Sequence, residues 1–85
     1  MRGVRQVVIA VFDGVEVLDV TGPASVFSAA SKLLGRGRHG YRLNLAATTV
    51  GPVRTSTGVQ LIADATLAEV TGTADTVVLP GAIQI

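Results

Sequence analysis

Residues 7–23 read VVIAVFDGVEVLDVTGP. The stretch opens on six apolar residues in a row, Val7 to Phe12. A run that short and that rich in branched side chains has the form of a strand buried on both faces. Asp13-Gly14 ends it in a turn. Glu16 and Asp19 then interrupt the otherwise apolar segment Val15 to Val20. Gly22-Pro23 predicts the start of a helix, because a proline at the first helical position gives up an N–H that has no intrahelical partner anyway. In open parallel sheets, ligands bind outside the carboxyl ends of the strands. Asp19 falls in that region, just ahead of the expected helix.

Outward from this stretch, the first strand is expected over Arg5–Phe12 and the first helix over Gly22–Leu34. Thr21 or Gly22 serves as its N-cap, and Gly35 stops it. Val26, Phe27, Ala30, Leu33 and Leu34 recur at spacings of three and four and predict its buried face. Gly35 to Gly40, GRGRHG, follows a helix rather than preceding one, so no helix N-terminus is aimed at an anion there. It reads as a solvated connector carrying the single histidine, His39. Tyr41–Thr48 is the second strand, with alternation at Tyr41, Leu43 and Leu45. Thr49 to Pro52 is a turn. Val53–Ile62 contains a hairpin turning at Ser56-Thr57-Gly58. Asp64–Val70 is a short helix with Asp64 or Thr66 at its cap, and Thr76–Leu79 is a third core strand, ended by Pro80-Gly81. This alternation predicts an α/β fold on a parallel sheet with right-handed crossovers.

At 85 residues the chain holds at most one domain. It is 48% apolar and 15% charged, a core-forming composition rather than a disordered one. A net charge of +1 gives no electrostatic reason to expect nucleic acid on this segment. With no cysteine there is no disulfide, thiolate metal site or cysteine nucleophile within it, and one histidine makes no metal cluster. No run approaches the roughly 20 apolar residues of a membrane helix. No secretory leader is evident either, so the expected location is cytoplasmic with no membrane partner. Ile85 follows closely on the third core strand, where a parallel sheet still needs a covering crossover. Residues 1–85 are therefore expected to be the N-terminal portion of a larger domain.

Three segments, FDGVEVLDVTGP (12–23), GPVRTSTGVQLIADATLAEV (51–70) and DTVVLPGA (75–82), together resemble the ThiJ/PfpI superfamily, whose fold is like that of class I glutamine amidotransferases. Within it the chain looks most like the N-terminal domain of AraC-type transcriptional regulators. The resemblance implies a flavodoxin-like three-layer α/β sandwich, of which residues 1–85 are the N-terminal half. It implies a ligand-sensing and dimerisation domain, a homodimer, an unknown small-molecule ligand, and DNA contact only through a C-terminal domain not in this chain. It implies no cofactor. The alternative is the leading part of a ThiJ/PfpI-type enzyme, such as an isocyanide hydratase, an amidase or a protease-like hydrolase. In such members an acid at the place of Asp19 faces a cysteine on a strand-to-helix elbow, where it can hold or deliver a proton. A backbone N–H after the LPG turn helps stabilise an oxyanion.

Asp19 matches the family acid, and Gly81 the first glycine of the LPGG turn. Ala82 stands at the second glycine, where its Cβ narrows the backbone angles. Asp19, Gly81 and Ala82 are thus the candidate ligand-binding residues. No catalytic residue is assigned, because the elbow has no counterpart here. Glu16 reads as solvated, and Thr21 as structural near the helix cap. Arg54, Thr55, Ser56 and Thr57 have the composition of a hairpin tip as much as of an anion site.

Overall fold

A computed structural model describes residues 4–34, 40–70 and 72–81. Four strands form one sheet in the order β5-β2-β1-β6, all parallel. They are β1 (Arg5–Ala10), β2 (Tyr41–Ala47), β5 (Ala65–Thr66) and β6 (Thr76–Val78). Between β2 and β5 an antiparallel hairpin forms a second, two-stranded sheet, β3 (Gly51–Arg54) with β4 (Gln60–Ala63). Helix α1 (Val17–Leu34) connects β1 to β2, and the one-turn α2 (Leu67–Val70) precedes β6.

β1 takes the centre because its apolar run satisfies both faces. Val7, Val8, Ile9 and Ala10 are all buried, with Ile9 level with Leu45 on one side and Val78 on the other. Ile9 and Val11 pack into one cluster with Val15, Val20, Ala47, Val53 and Ala63. Burying each of the larger members is worth about 1.5–3 kcal/mol. Two aspartates clamp the crossovers to the sheet. Asp64 donates its N–H to the Leu45 carbonyl (2.8 Å) and accepts the Leu45 N–H on its carboxylate (3.1 Å). Asp75 does the same with Gln6, at 2.8 and 2.7 Å. Each clamp satisfies a strand N–H and C=O where the ladder would otherwise end.

The hairpin is fastened to the β1–α1 loop. The Gly14 N–H donates to the Arg54 carbonyl (2.8 Å), the Arg54 N–H to the Asp13 carboxylate (3.2 Å), and the Ser56 N–H to the Val15 carbonyl (2.9 Å). Gly14 has φ +90°, a left-handed conformation that glycine adopts without strain. The expected turn at 56–58 is present, closed by Thr55, whose N–H and hydroxyl both donate to the Val59 carbonyl (2.9 and 2.6 Å). Arg54 spends its guanidinium on the Gly58 carbonyl (3.0 Å), a contact within the hairpin.

Several expectations change. The helix begins at Val17, not Gly22, so neither Thr21 nor Gly22 caps it. Glu16 does so: its carboxylate accepts the Leu18 N–H at 3.3 Å and its carbonyl the Asp19 N–H at 3.0 Å. Pro23 therefore lies inside the helix, and the Asp19 carbonyl loses the N–H that residue 23 would normally give it. The early start is favoured because it buries Val20 and Val15. Thr21 sits within the helix and donates its hydroxyl to the Val17 carbonyl (3.1 Å). The buried face is also shifted. Val20 is the buried residue of α1 and Ala24 packs on the core, whereas Val26, Leu33 and Leu34 are exposed. Phe27 keeps its inward role, meeting Tyr41 edge-on at 4.9 Å. Ser31 fixes the same end of the helix by accepting the Tyr41 N–H at 2.8 Å.

β1 ends at Ala10, β2 at Ala47 and β6 at Val78, each slightly shorter than the apolar runs suggest. The hairpin runs longer, from Gly51 to Ala63. The segment read as a helix over Asp64–Val70 is divided into clamp, β5 and α2. Thr66 and Glu69 form a capping box there: Thr66 donates its N–H (2.9 Å) and hydroxyl (3.0 Å) to the Glu69 carboxylate, and the Glu69 N–H donates back to the Thr66 hydroxyl (3.2 Å). The connector at 35–39, with His39, lies outside the described residues.

Candidate functional site

The chain passes from β1 outward to β2 and β5, then returns across the sheet to β6 on the other side of β1. The direction of winding thus reverses between β1 and β6. In doubly wound sheets, the crevice at that reversal, beyond the carboxyl ends of the strands, is where ligands bind. Two segments meet there: the β1–α1 loop with Glu16 and Asp19, and the turn after β6 with Gly81.

They meet by a reciprocal pair of hydrogen bonds. The Glu16 N–H donates to the Gly81 carbonyl (3.0 Å), and the Gly81 N–H donates to the Asp19 carboxylate (3.1 Å). Asp19 reaches the turn because it occupies the third helical residue after the Glu16 cap, pointing off the first turn of α1. A carboxylate there is favoured by the positive end of the helix dipole. A Cβ added at Gly81 would stand 3.3 Å from the Asp19 Oδ2, so the bare glycine permits this close approach. Ser56 at the hairpin tip joins from the other side, its hydroxyl 3.5 Å from the Glu16 carboxylate.

Hairpin, helix start and post-β6 turn therefore converge on Glu16, a residue that the sequence alone presents as solvated. It is half-buried and holds three elements through its backbone and side chain. Glutamate is not a usual N-cap residue, so its place ahead of Val17 gives little signal beside the Gly22-Pro23 pair downstream. Ser56 has no signal in sequence, because its partner is 40 residues away.

Asp19 and Gly81 lie together, the Gly81 N–H on the Asp19 carboxylate, and both are exposed. Ala82 lies outside the described residues. Two clefts open nearby. One, of about 540 Å³, lies between the Asp13-Gly14 turn and the hairpin residues Pro52, Arg54 and Gln60. The other, of about 230 Å³, lies at the ends of β1 and β2 among Phe12, Thr48, Thr49 and Leu67. Asp19 and Gly81 line neither and stand on the open side of the rim. Among the described residues no group of His, Asp and Glu is placed to hold a metal. None of the described helices is long and apolar enough to cross a membrane.

A parallel sheet wound in both directions from β1, with a carboxylate at the reversal, defines a flavodoxin-like α/β protein. A model of the DJ-1/PfpI family matches residues 5–84, and the chain belongs to that family. It is 40% identical over 79 residues to a Streptomyces lividans protein described as an uncharacterized protein in the cpoL 5' region. The match covers 93% of this chain and 52% of that one, so the chain spans about half the relative's length. Among solved structures it resembles an AraC family transcriptional regulator from Pseudomonas putida, with a TM-score of 0.78 at 16% identity over 94% of this chain and 48% of that one. It also resembles DJ-1beta of Drosophila melanogaster, at 0.74 and 25% identity, over 93% and 39%. Oxidized DJ-1 of Toxoplasma gondii aligns at 0.74 and 21% identity over the same shares.

Proposed function

We propose that residues 1–85 form the leading half of a DJ-1/PfpI-type domain that senses a small molecule and dimerises in a cytoplasmic transcription regulator of the AraC type, with DNA bound by a separate domain. The observation that carries this reading is the Asp19–Gly81 pair at the winding reversal. A carboxylate that already holds the Gly81 N–H is a fixed recognition element, and a ligand with a donor group meets it in a preset position. The fold shared with the Pseudomonas putida AraC family regulator supports the same assignment. Glu16 and Ser56 connect this point to the hairpin, so a ligand that moves the turn after β6 also loads the hairpin.

The rival reading is an enzyme in which Asp19 relays a proton to a thiol supplied by a segment past Ile85, since residues 1–85 hold no cysteine. It is favoured by one feature of the site: Asp19 is exposed on the open side of the rim, reachable by another group. Incubation of the full-length protein, including the segment past Ile85, with an alkyl isocyanide separates the two. The sensor reading predicts no N-alkylformamide, the product of adding water to the isocyanide carbon. Formamide production that disappears in Asp19→Asn would replace it with the enzyme.

A further inference from the structure

Six of the chain's seven arginines and lysines fall in two stretches of sequence, residues 2–5 and 32–42. Their described members come together at the amino end of the parallel sheet. Arg5 opens β1, and its backbone N–H donates to the Gly40 carbonyl at 2.9 Å. Tyr41 stands level with Arg5, and Arg42 with Gln6 one step further on. Lys32 arrives in the last turn of α1, next to the Ser31 hydroxyl that holds the Tyr41 N–H. Arg5, Lys32 and Arg42 are all exposed. Strand spacing and rise put the backbones of the two arginines roughly 6 Å apart. Successive strand residues alternate faces, so Arg5 and Arg42 flank the end of the sheet from its two sides.

The acids are placed the other way. Asp13, Glu16 and Asp19 gather beyond the carboxyl ends of the strands, bonded to the hairpin and the post-β6 turn. Asp64 clamps Leu45, and Glu69 bonds Thr66, which pairs with Ala47 at the end of β2. Asp75 is the acid at the amino end, and its carboxylate accepts the Gln6 N–H at 2.7 Å. A net charge of +1 conceals this separation of charge along the strands.

We propose that Arg5, Lys32 and Arg42 contact the phosphate backbone of duplex DNA, alongside the separate DNA-binding domain. The inference rests on the regulator reading above. Arginine meets phosphate oxygens with a planar fork and lysine as a point charge. Such contacts position a protein on the duplex without reading its sequence. Attachment to a DNA-binding domain raises the local concentration of DNA at this surface, so a contact too weak to hold DNA alone still adds affinity. Like-charge repulsion turns the acidic end, with the Asp19–Gly81 rim, away from the duplex and toward solvent. The cations flank the end of a sheet from both sides. An anionic lipid surface instead suits bases ranged along the polar face of one amphipathic helix.

Fluorescence anisotropy of the full-length protein, including the segment past Ile85, on a labelled 30-base-pair duplex of arbitrary sequence across a salt series tests this. Combining Arg5→Gln, Lys32→Gln and Arg42→Gln is expected to make the slope of log K against log salt shallower by about 2–3, each single change contributing about 1. Far-UV circular dichroism is expected to stay unchanged, since all three side chains are exposed. Arg54→Gln removes the same charge from the hairpin beside Asp13, at the opposite end, and is expected to leave the slope as it was. Equal shifts from Arg54→Gln and from a single change at the amino end would reduce the effect to net charge and overturn the site. A triple variant that binds the duplex like the wild type overturns this surface and leaves the regulator reading standing. So does one that loses only its binding to phosphatidylserine vesicles, which would assign the surface to lipid. A wild-type protein that binds no duplex DNA overturns both the surface and the regulator reading.

Discussion

β1 and α1 are both rich in apolar residues, yet they meet opposite fates. Four consecutive residues of β1, Val7 to Ala10, are buried. Along the 18 residues of α1 the single buried one is Val20. A central strand has neighbours on both edges and layers on both faces, so almost any apolar residue in it is covered. A helix lying on one face of a sheet covers only the side it turns inward. Apolar content thus tells how much surface a segment offers for burial, and the neighbours decide how much is taken.

The strongest way to break this contrast is to hollow out its buried side. Ile9→Ala is expected to destabilise the fold by about 2–5 kcal/mol in urea unfolding, through lost burial and the cavity left behind. Val20→Ala, the one buried point of α1, is expected to cost about 2 kcal/mol on the same scale. Val50→Ala, at a residue 59% exposed, is expected to stay within about 0.5 kcal/mol. An equal loss at Val20 and Val50 would remove the distinction between inward and outward apolar residues.

The next effect is at the helix start. Glu16→Ala removes the side-chain cap on Leu18 and the contact to Ser56, and is expected to cost about 1 kcal/mol. Ser56→Ala is expected to cost less, since 3.5 Å is a long hydrogen bond. The smallest effect concerns pH. The Thr66 N–H and then its hydroxyl hold the Glu69 carboxyl below its ordinary value of 4.5. A group lowered in the folded state adds stability above its unfolded value and loses it as pH falls through the lowered one. Acid titration of unfolding is therefore expected to show a slight loss beginning below about pH 4.5, absent in Glu69→Gln.

Much of this architecture is legible in the residues themselves. The run at 7–12 marks the central strand, the order of elements gives a parallel α/β sheet, and Ser56-Thr57-Gly58 gives the hairpin turn. These features rest on local chemistry. What escapes is set by distant partners. Glycine and proline at 22–23 favour a helix start locally, but burying Val20 against β1 outweighs the hydrogen bond that Pro23 forfeits. The outward turn of Val26 and Leu33 depends on which side of α1 meets the sheet, and both sides carry apolar residues. The two-residue β5 exists because Ala65 and Thr66 fall beside Ala46 and Ala47. Of the site, Asp19 and Gly81 are recognisable from LDVTGP and LPG, whereas Glu16 and Ser56 acquire their roles only when residues 16, 56 and 81 come together.

The central claim is that the Asp19 carboxylate closes on the Gly81 amide where the winding of the sheet reverses. The Gly81 amide resonance, followed by nuclear magnetic resonance in the wild type and in Asp19→Ala, reports on that contact. A hydrogen bond to a carboxylate predicts a downfield, slowly exchanging amide proton in the wild type that moves upfield and exchanges faster in the variant. A Gly81 amide indifferent to the loss of Asp19 would contradict the account.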